Sequence, residues 1–169
     1  MRVALRLEYD GTDFHGSQLQ ASQRTVQGEL ERALAAIFKC TVRPKMASRT
    51  DTGVHAKYQV AACDIQTAYS MKTLTKALNY HLADDISIRF AQQVSDRFDP
   101  RHNATSRKYS YTIRNSATPS PIARRYETHI WQPLNIQCMG QAAQLLEGIH
   151  NFSAFAGPAT PRDAPTIRR

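Results

Sequence analysis

The hydrophobic period changes once between Arg2 and Phe38, and this change does most to limit what the chain can fold into. Val3, Leu5, Leu7 and Tyr9 alternate with Arg2, Ala4, Arg6 and Glu8, the period of two that marks a half-buried strand. Asp10-Gly11-Thr12 reads as a turn, followed by a polar loop through Phe14, Gly16, Gln18 and Gln20. From Thr25 the period becomes helical: Val26, Leu30, Ala33, Leu34, Ile37 and Phe38 share one face, with Glu29, Glu31 and Arg32 opposite. Thr25 is the expected N-cap, and Gly28 at the third place after it rules out a full capping box. Thr41 to Lys45 and Tyr58 to Ile65 read as strands on either side of a polar loop. A second helix is predicted from Ser70, carrying Met71, Leu74, Leu78 and Leu82 inward, and Ile86, Ile88 and Phe90 alternate as a strand. After a loop at Arg97–Arg101, a strand is predicted with Tyr109, Tyr111 and Ile113 on one face. Pro119 and Pro121 break the chain, Tyr126 to Trp131 resumes a strand, and Ile136 to Leu146 reads as a third helix ended by Gly148. Strands interleaved with helices, without regular βαβ alternation, imply an α+β fold with an antiparallel sheet.

A length of 169 residues accommodates one domain, or one domain and part of another. Lys and Arg number 22 against 14 Asp and Glu, a net charge of +8 that points to a polyanionic partner. Cys40, Cys63 and Cys138 are far apart and form no C-x-x-C pair, which argues against a disulfide framework or a zinc ribbon and suits buried thiols in a reducing cytosol. Arg6 and Glu8 interrupt the N-terminal apolar pattern, so it lacks the apolar core of a signal peptide, and no stretch has the length of a membrane span. The expected location is cytoplasmic. Thr160 to Arg169 ends on Pro-Thr-Ile-Arg-Arg, which reads as a strand being entered, so a truncated chain is expected.

Few segments have the residue types for chemistry. Ser48-Arg49-Thr50-Asp51-Thr52-Gly53-Val54-His55-Ala56 gathers an arginine, a carboxylate and a histidine between two strands. Asp51 there is either a turn former or a reactive carboxylate; Arg49 could reach a phosphate or that carboxylate, and Gly53 permits close backbone approach. His55 has no second ligand at metal-binding spacing, and reads as a hydrogen-bonded structural histidine. His15, His81, His102, His129 and His150 are scattered without metal-ligand spacing, so no metal is expected. Phosphate-loop and dinucleotide fingerprints are both missing from the sequence, which disfavours nucleotide hydrolysis and dinucleotide binding. Arg101, Arg107, Lys108 and Arg114, interleaved with Tyr109 and Tyr111, form a basic and aromatic cluster. It is either a solvated strand face or a surface for phosphate contact and base stacking.

YDGTDFHGSQLQ, TVQGELERAL, SRTDTGVHA and FDPRHNATSRKYSY, in this order, closely resemble the tRNA pseudouridine synthase A family. Near the end, Gly148-Ile-His-Asn-Phe152-Ser-Ala-Phe155 is similar to that family's G-x-H-D-F-x-x-F element, with Asn151 in place of the aspartate. The resemblance implies a ferredoxin-like, RNA-recognition-like pair of domains with a joined antiparallel sheet. Residues 1–105 would carry the catalytic loop and residues 106–169 an incomplete second domain, with a basic active-site residue expected beyond Arg169. It also implies isomerisation of uridine to pseudouridine at positions 38 to 40 of the tRNA anticodon stem-loop, without a cofactor, by a homodimer. In that chemistry the C1′–N1 bond breaks, the uracil rotates and C5 joins C1′. Asp51 would be the essential aspartate, as a nucleophile at C1′ or a base at C2′. A free aspartate carboxyl has a pKa of about 3.9 and needs no activating base. Tyr109 would stack on the target base and be placed for proton transfer at C5, Arg49 would occupy the space of the flipped nucleotide or hold it by its phosphate, and Arg101 and Arg107 would contact phosphate. The alternative is an RNA-binding module without catalysis, with Asp51 serving only its loop.

Overall fold

The computed structural model describes residues 1–157 and 166–168. They divide into two compact units, Met1–Tyr109 and Ser110–Arg169. Of the expected terminal strand, Thr160 to Pro165 and Arg169 lie outside the described residues, and Ile167–Arg168 is a strand.

The first unit runs β1 (Arg2–Tyr9), α1 (Val26–Phe38), β2 (Lys45–Met46), β3 (Ala56–Asp64), α2 (Met71–His81), β4 (Ile86–Val94). Its four strands form one sheet in the order β2-β3-β1-β4, with every neighbouring pair antiparallel. Val3, Leu5 and Leu7 of β1, Leu30 and Leu34 of α1, and Leu74 and Leu78 of α2 are fully buried in one apolar cluster. Burial of each such leucine contributes about 1.5–3 kcal/mol. Thr25 caps α1 as expected, its Oγ1 accepting the Gly28 N–H at 3.1 Å, and Ser70 caps α2 through Thr73. Of the three thiols expected to be buried only Cys63 is, and burial pushes it up to about 11; Cys40, just past the end of α1, and Cys138, on α3, are exposed.

Three expectations for this unit and the segment after it are corrected. Of Thr41–Lys45 only Lys45 pairs, joined by Met46; Pro44 has no N–H for a ladder. The run through Tyr109 and Tyr111 is not a strand, which is confined to β5 at Ile113–Asn115. Alternation signals a strand only where a neighbouring strand takes up the backbone hydrogen bonds; residues 104–111 pair with none of the described ones, and the first such bond is from the Thr128 N–H to the Thr112 carbonyl at 2.8 Å. Finally, Phe90 does not share a face with Ile86 and Ile88. The ladder pairs Leu7 with Ile88 but Arg6 with Phe90, so Arg89 is an extra residue on β4. This bulge shifts the phase by one: Ile86, Ile88 and Ala91 are buried, and Phe90 is 50% exposed on the other face.

In the second unit β5 pairs in parallel with β6 (Thr128–Ile130), contrary to the expected antiparallel arrangement. Residues 116–127 between them, broken by Pro119 and Pro121, have the length that a parallel connection needs. α3 (Ile136–Gln144) is capped by Asn135, and β7 (His150–Asn151) pairs antiparallel with β8 (Ile167–Arg168). Asn151 Oδ1 accepts the Ser153 N–H at 3.0 Å, an acceptor role that an aspartate oxygen would also fill. No described residue of this unit is buried.

Candidate active site

Asp51 lies on the loop between β2 and β3, in a turn closed by the Val54 N–H donating to the Asp51 carbonyl at 3.2 Å. Gly53 takes φ +79° in that turn, a left-handed conformation that glycine adopts without strain. The β1–α1 loop grips this turn from beneath. The Ser17 N–H donates to the Thr50 carbonyl at 2.9 Å, and the Thr50 N–H donates to Ser17 Oγ at 2.8 Å. Ser17 is fully buried. The Tyr9 hydroxyl and Thr50 Oγ1 are 2.9 Å apart, and the Gly53 N–H donates to the Phe14 carbonyl at 3.3 Å. From β3, the buried Gln59 donates its Nε2 to the Ser48 carbonyl at 2.8 Å. Burial raises the Tyr9 phenol above its ordinary value, against the lowering effect of its bonds to Thr50 and Gln59.

Two glycines make this docking possible. A Cβ on Gly11 would sit 2.1 Å from the Val54 carbonyl oxygen, and one on Gly16, which has φ +83°, 2.8 Å from that of Thr50. The YDGTDFHGSQ segment is therefore the mould in which the Asp51 loop is set. His55 takes part as the sequence suggested, as a structural group. Its Nδ1 lies 3.1 Å from the Gly11 N–H and 3.0 Å from Asp10 Oδ1. That nitrogen accepts from the amide in one protonation state and donates to the carboxylate in the other. Asp10 Oδ1 also accepts the Thr12 N–H and hydroxyl.

A second layer stiffens the mould. Phe14 is buried, edge-on to Tyr9 at 6.2 Å, and the Arg24 guanidinium lies 4.2 Å from the centre of its ring. Arg24 makes a two-pronged bond to Asp85 at 2.6 and 2.8 Å. The Asp10 N–H also donates to the Asp85 carbonyl at 2.9 Å, tying the end of β1 to the start of β4. Hydrogen bonding to Arg24 holds the Asp85 carboxyl below its ordinary value. A carboxyl depressed on folding stabilises the fold above its unfolded pKa of about 3.9 and loses that contribution as pH falls. Asp85→Asn is therefore expected to lower stability at pH 7 and to flatten its acid dependence below pH ~4. Urea unfolding at pH 7 and pH 3 checks this: a stability loss equal at both values would show that the carboxylate charge is not involved.

The structure places the five predicted site residues unequally. Asp51 and Arg49 are exposed on the moulded loop, and neither side chain has a hydrogen-bond or ion-pair partner among the described residues. Arg107 donates Nη2 to the carbonyls of Ala47 at 3.3 Å and Arg101 at 3.2 Å, strapping its own segment to the start of the Asp51 loop. The Arg101 backbone is set by Asp99, whose Oδ1 accepts the N–H groups of Arg101 and His102 at 2.8 and 3.1 Å. Asp99 is in turn paired with Lys45, which holds its carboxyl well below the usual range. Tyr109 is 65% exposed and ends the first unit. Sequence reasoning missed the supports: Tyr9, Ser17, Gln59 and the Lys45–Asp99 pair. The motif containing Tyr9 and Ser17 was visible, but nothing in it says which residues fold under the Asp51 loop. Among the described residues no group of three or more His, Cys, Asp or Glu is placed to hold a metal, and no helix is long and apolar enough to cross a membrane.

The segment that builds this site, residues 7–103, matches the family model described as tRNA pseudouridine synthase. The chain belongs to the tRNA pseudouridine synthase family. Among similar curated proteins, the tRNA pseudouridine synthase A of Roseiflexus castenholzii is 41% identical over 166 residues, covering 98% of this chain and 61% of the relative. That of Chloroflexus aurantiacus is 42% identical, covering 98% and 59%, and that of Thermoanaerobacter sp. (strain X514) is 43% identical, covering 98% and 68%. The chain thus spans about three fifths of the length of the first two synthases, and the family match contains the whole Asp51 loop and its mould.

Proposed function

We propose that the protein carrying this chain converts uridine to pseudouridine in the anticodon stem-loop of tRNA, at positions 38 to 40, with Asp51 as the catalytic carboxylate. The observation that carries this reading is an exposed carboxylate with no partner of its own on a loop held from below by Ser17, Tyr9, Gly11 and Gln59. A carboxylate that only shaped its turn would be engaged by a backbone N–H, as Asp99 is. Asp51 is left for a substrate, acting as nucleophile at C1′ or base at C2′ once the uridine is flipped out. Arg49, two residues before it, would hold the displaced nucleotide, and Arg101 and Arg107 would contact phosphate. Phosphate contacts of this kind, spread over a chain of net charge +8, would offset the few kcal/mol that unstacking costs. The first unit is read as a ferredoxin-like domain, supported by its βαββαβ order and its β2-β3-β1-β4 sheet, with residues 1–105 as the catalytic domain and 106–169 in a second. A homodimer in the cytoplasm is the expected working form.

Incubation with an unmodified tRNA transcript, followed by chemical mapping of pseudouridine, tests the reading. Modification at other uridines would remove the anticodon-arm assignment, and no modification at all would remove the activity. For Tyr109, stacking and proton transfer separate by substitution. Tyr109→Phe is expected to keep tRNA affinity and lower turnover, and Tyr109→Leu to weaken both, since base stacking is worth about 1–3 kcal/mol. Wild-type turnover by the Phe variant would leave Tyr109 as a platform only.

A further inference from the structure

The face of the four-stranded sheet opposite the helices has one feature that the Asp51 site does not use. Arg6 of β1 points out of that face, with the Tyr58 ring of β3 on one side at 5.4 Å from its guanidinium carbon and the Phe90 ring of β4 on the other at 5.8 Å. Tyr58 is 72% exposed and Phe90 50%, so both rings keep surface open to solvent. The row crosses the three strands β3-β1-β4 of the sheet. Irregular registers set it there. The bulge at Arg89 turns Phe90 out of the core, and a second irregularity between Leu7 and Tyr9 separates the Gln59 pairing from that of Ala56, with Tyr58 between them. Bulges beside a site re-aim side chains, and here both aim aromatic rings at one arginine.

We infer that this row, Tyr58–Arg6–Phe90, is a second RNA contact, taking an unpaired nucleotide of the substrate by base stacking on a ring and by its phosphate on Arg6. The inference rests on the reading of the protein as acting on RNA. Charge decides the kind of occupant. Two other arginines of the strands in this row have carboxylate partners, Arg2 with Asp64 and Arg89 with Glu8. Arg6 has no carboxylate within ion-pair distance among the described residues, and its guanidinium donors are not engaged. An apolar protein surface laid over the rings would have to desolvate a cation without a counter-charge. A nucleotide brings an anion and a flat π face together, in the geometry of an arginine between two rings. Four-stranded sheets that bind single-stranded RNA use exposed aromatic side chains in this way.

The test is tRNA affinity of the protein carrying this chain, with circular dichroism as the control for folding. Tyr58→Ala together with Phe90→Ala is expected to weaken binding about tenfold, with the dependence of affinity on salt unchanged. Arg6→Gln is expected to weaken it less and to reduce the salt slope by about one. Ultraviolet cross-linking of 4-thiouridine tRNA to the wild-type protein, read by mass spectrometry, should label the peptide containing Tyr58 or that containing Phe90, and it serves even if the double variant fails to fold. Wild-type binding without such cross-links, or a folded double variant with affinity within twofold of wild type, would overturn the inference while leaving the proposed function intact. No wild-type binding to tRNA would overturn both. A change in oligomeric state of the double variant with unchanged tRNA affinity would make the row a protein contact and overturn the inference.

Discussion

Asp51→Asn in the protein carrying this chain is expected to retain tRNA affinity within several-fold and to lose pseudouridine formation. The amide keeps the volume of the side chain and removes both the charge and the nucleophile or base. The loop should be undisturbed, because its geometry rests on backbone groups of Thr50, Gly53 and Val54, not on the Asp51 carboxylate. Tritium release from tRNA labelled at uridine C5 measures the effect. Residual turnover above about a hundredth of wild type would take Asp51 out of the catalytic role. Asp51→Glu restores the charge one methylene further out, and a loss of about 100-fold is expected from that displacement alone.

Gly11→Ala should be the most damaging substitution outside the proposed site residues. Its methyl group would meet the Val54 carbonyl oxygen at 2.1 Å and carbon at 2.4 Å, both backbone atoms that no rotamer change can move. Overpacking of this kind costs about 1–3 kcal/mol, and the strain falls on the Gly11 N–H bond to His55 and on the turn that presents Asp51. Both thermal stability and turnover are therefore expected to fall. Gly53→Ala is the comparison: its methyl group would meet nothing within 4 Å, leaving only the strain of φ +79°. Equal stability losses in the two variants would show that the close approach of Gly11 to Val54 does not form.

The sequence by itself determined the order of elements in the first unit and most residues of its core, though not Phe14, which the loop buries. Its periods of two and 3.6 are properties of the backbone, and Thr25 and Ser70 act at helix starts through bonds within three residues. The structural part played by His55 was legible for the same reason, since it stands in a short local pattern with Asp51 and Arg49. Tertiary structure decided the rest. Whether an alternating run becomes a strand depends on a neighbour: the run through Tyr109 and Tyr111 pairs with no described strand, and β5 and β6 run parallel. Phe90 shows the same dependence on one face. Its alternation with Ile86 and Ile88 implied burial, but one extra residue in the ladder with β1 turns it outward, beside Arg6 and Tyr58. The mould beneath Asp51 was invisible because Ser17 and Thr50 are 33 residues apart in sequence and Gly11 and His55 are 44 apart. Their bonds exist only after β1 and β3 pair, and periodicity reports which side of an element is apolar without reporting what will lie against it.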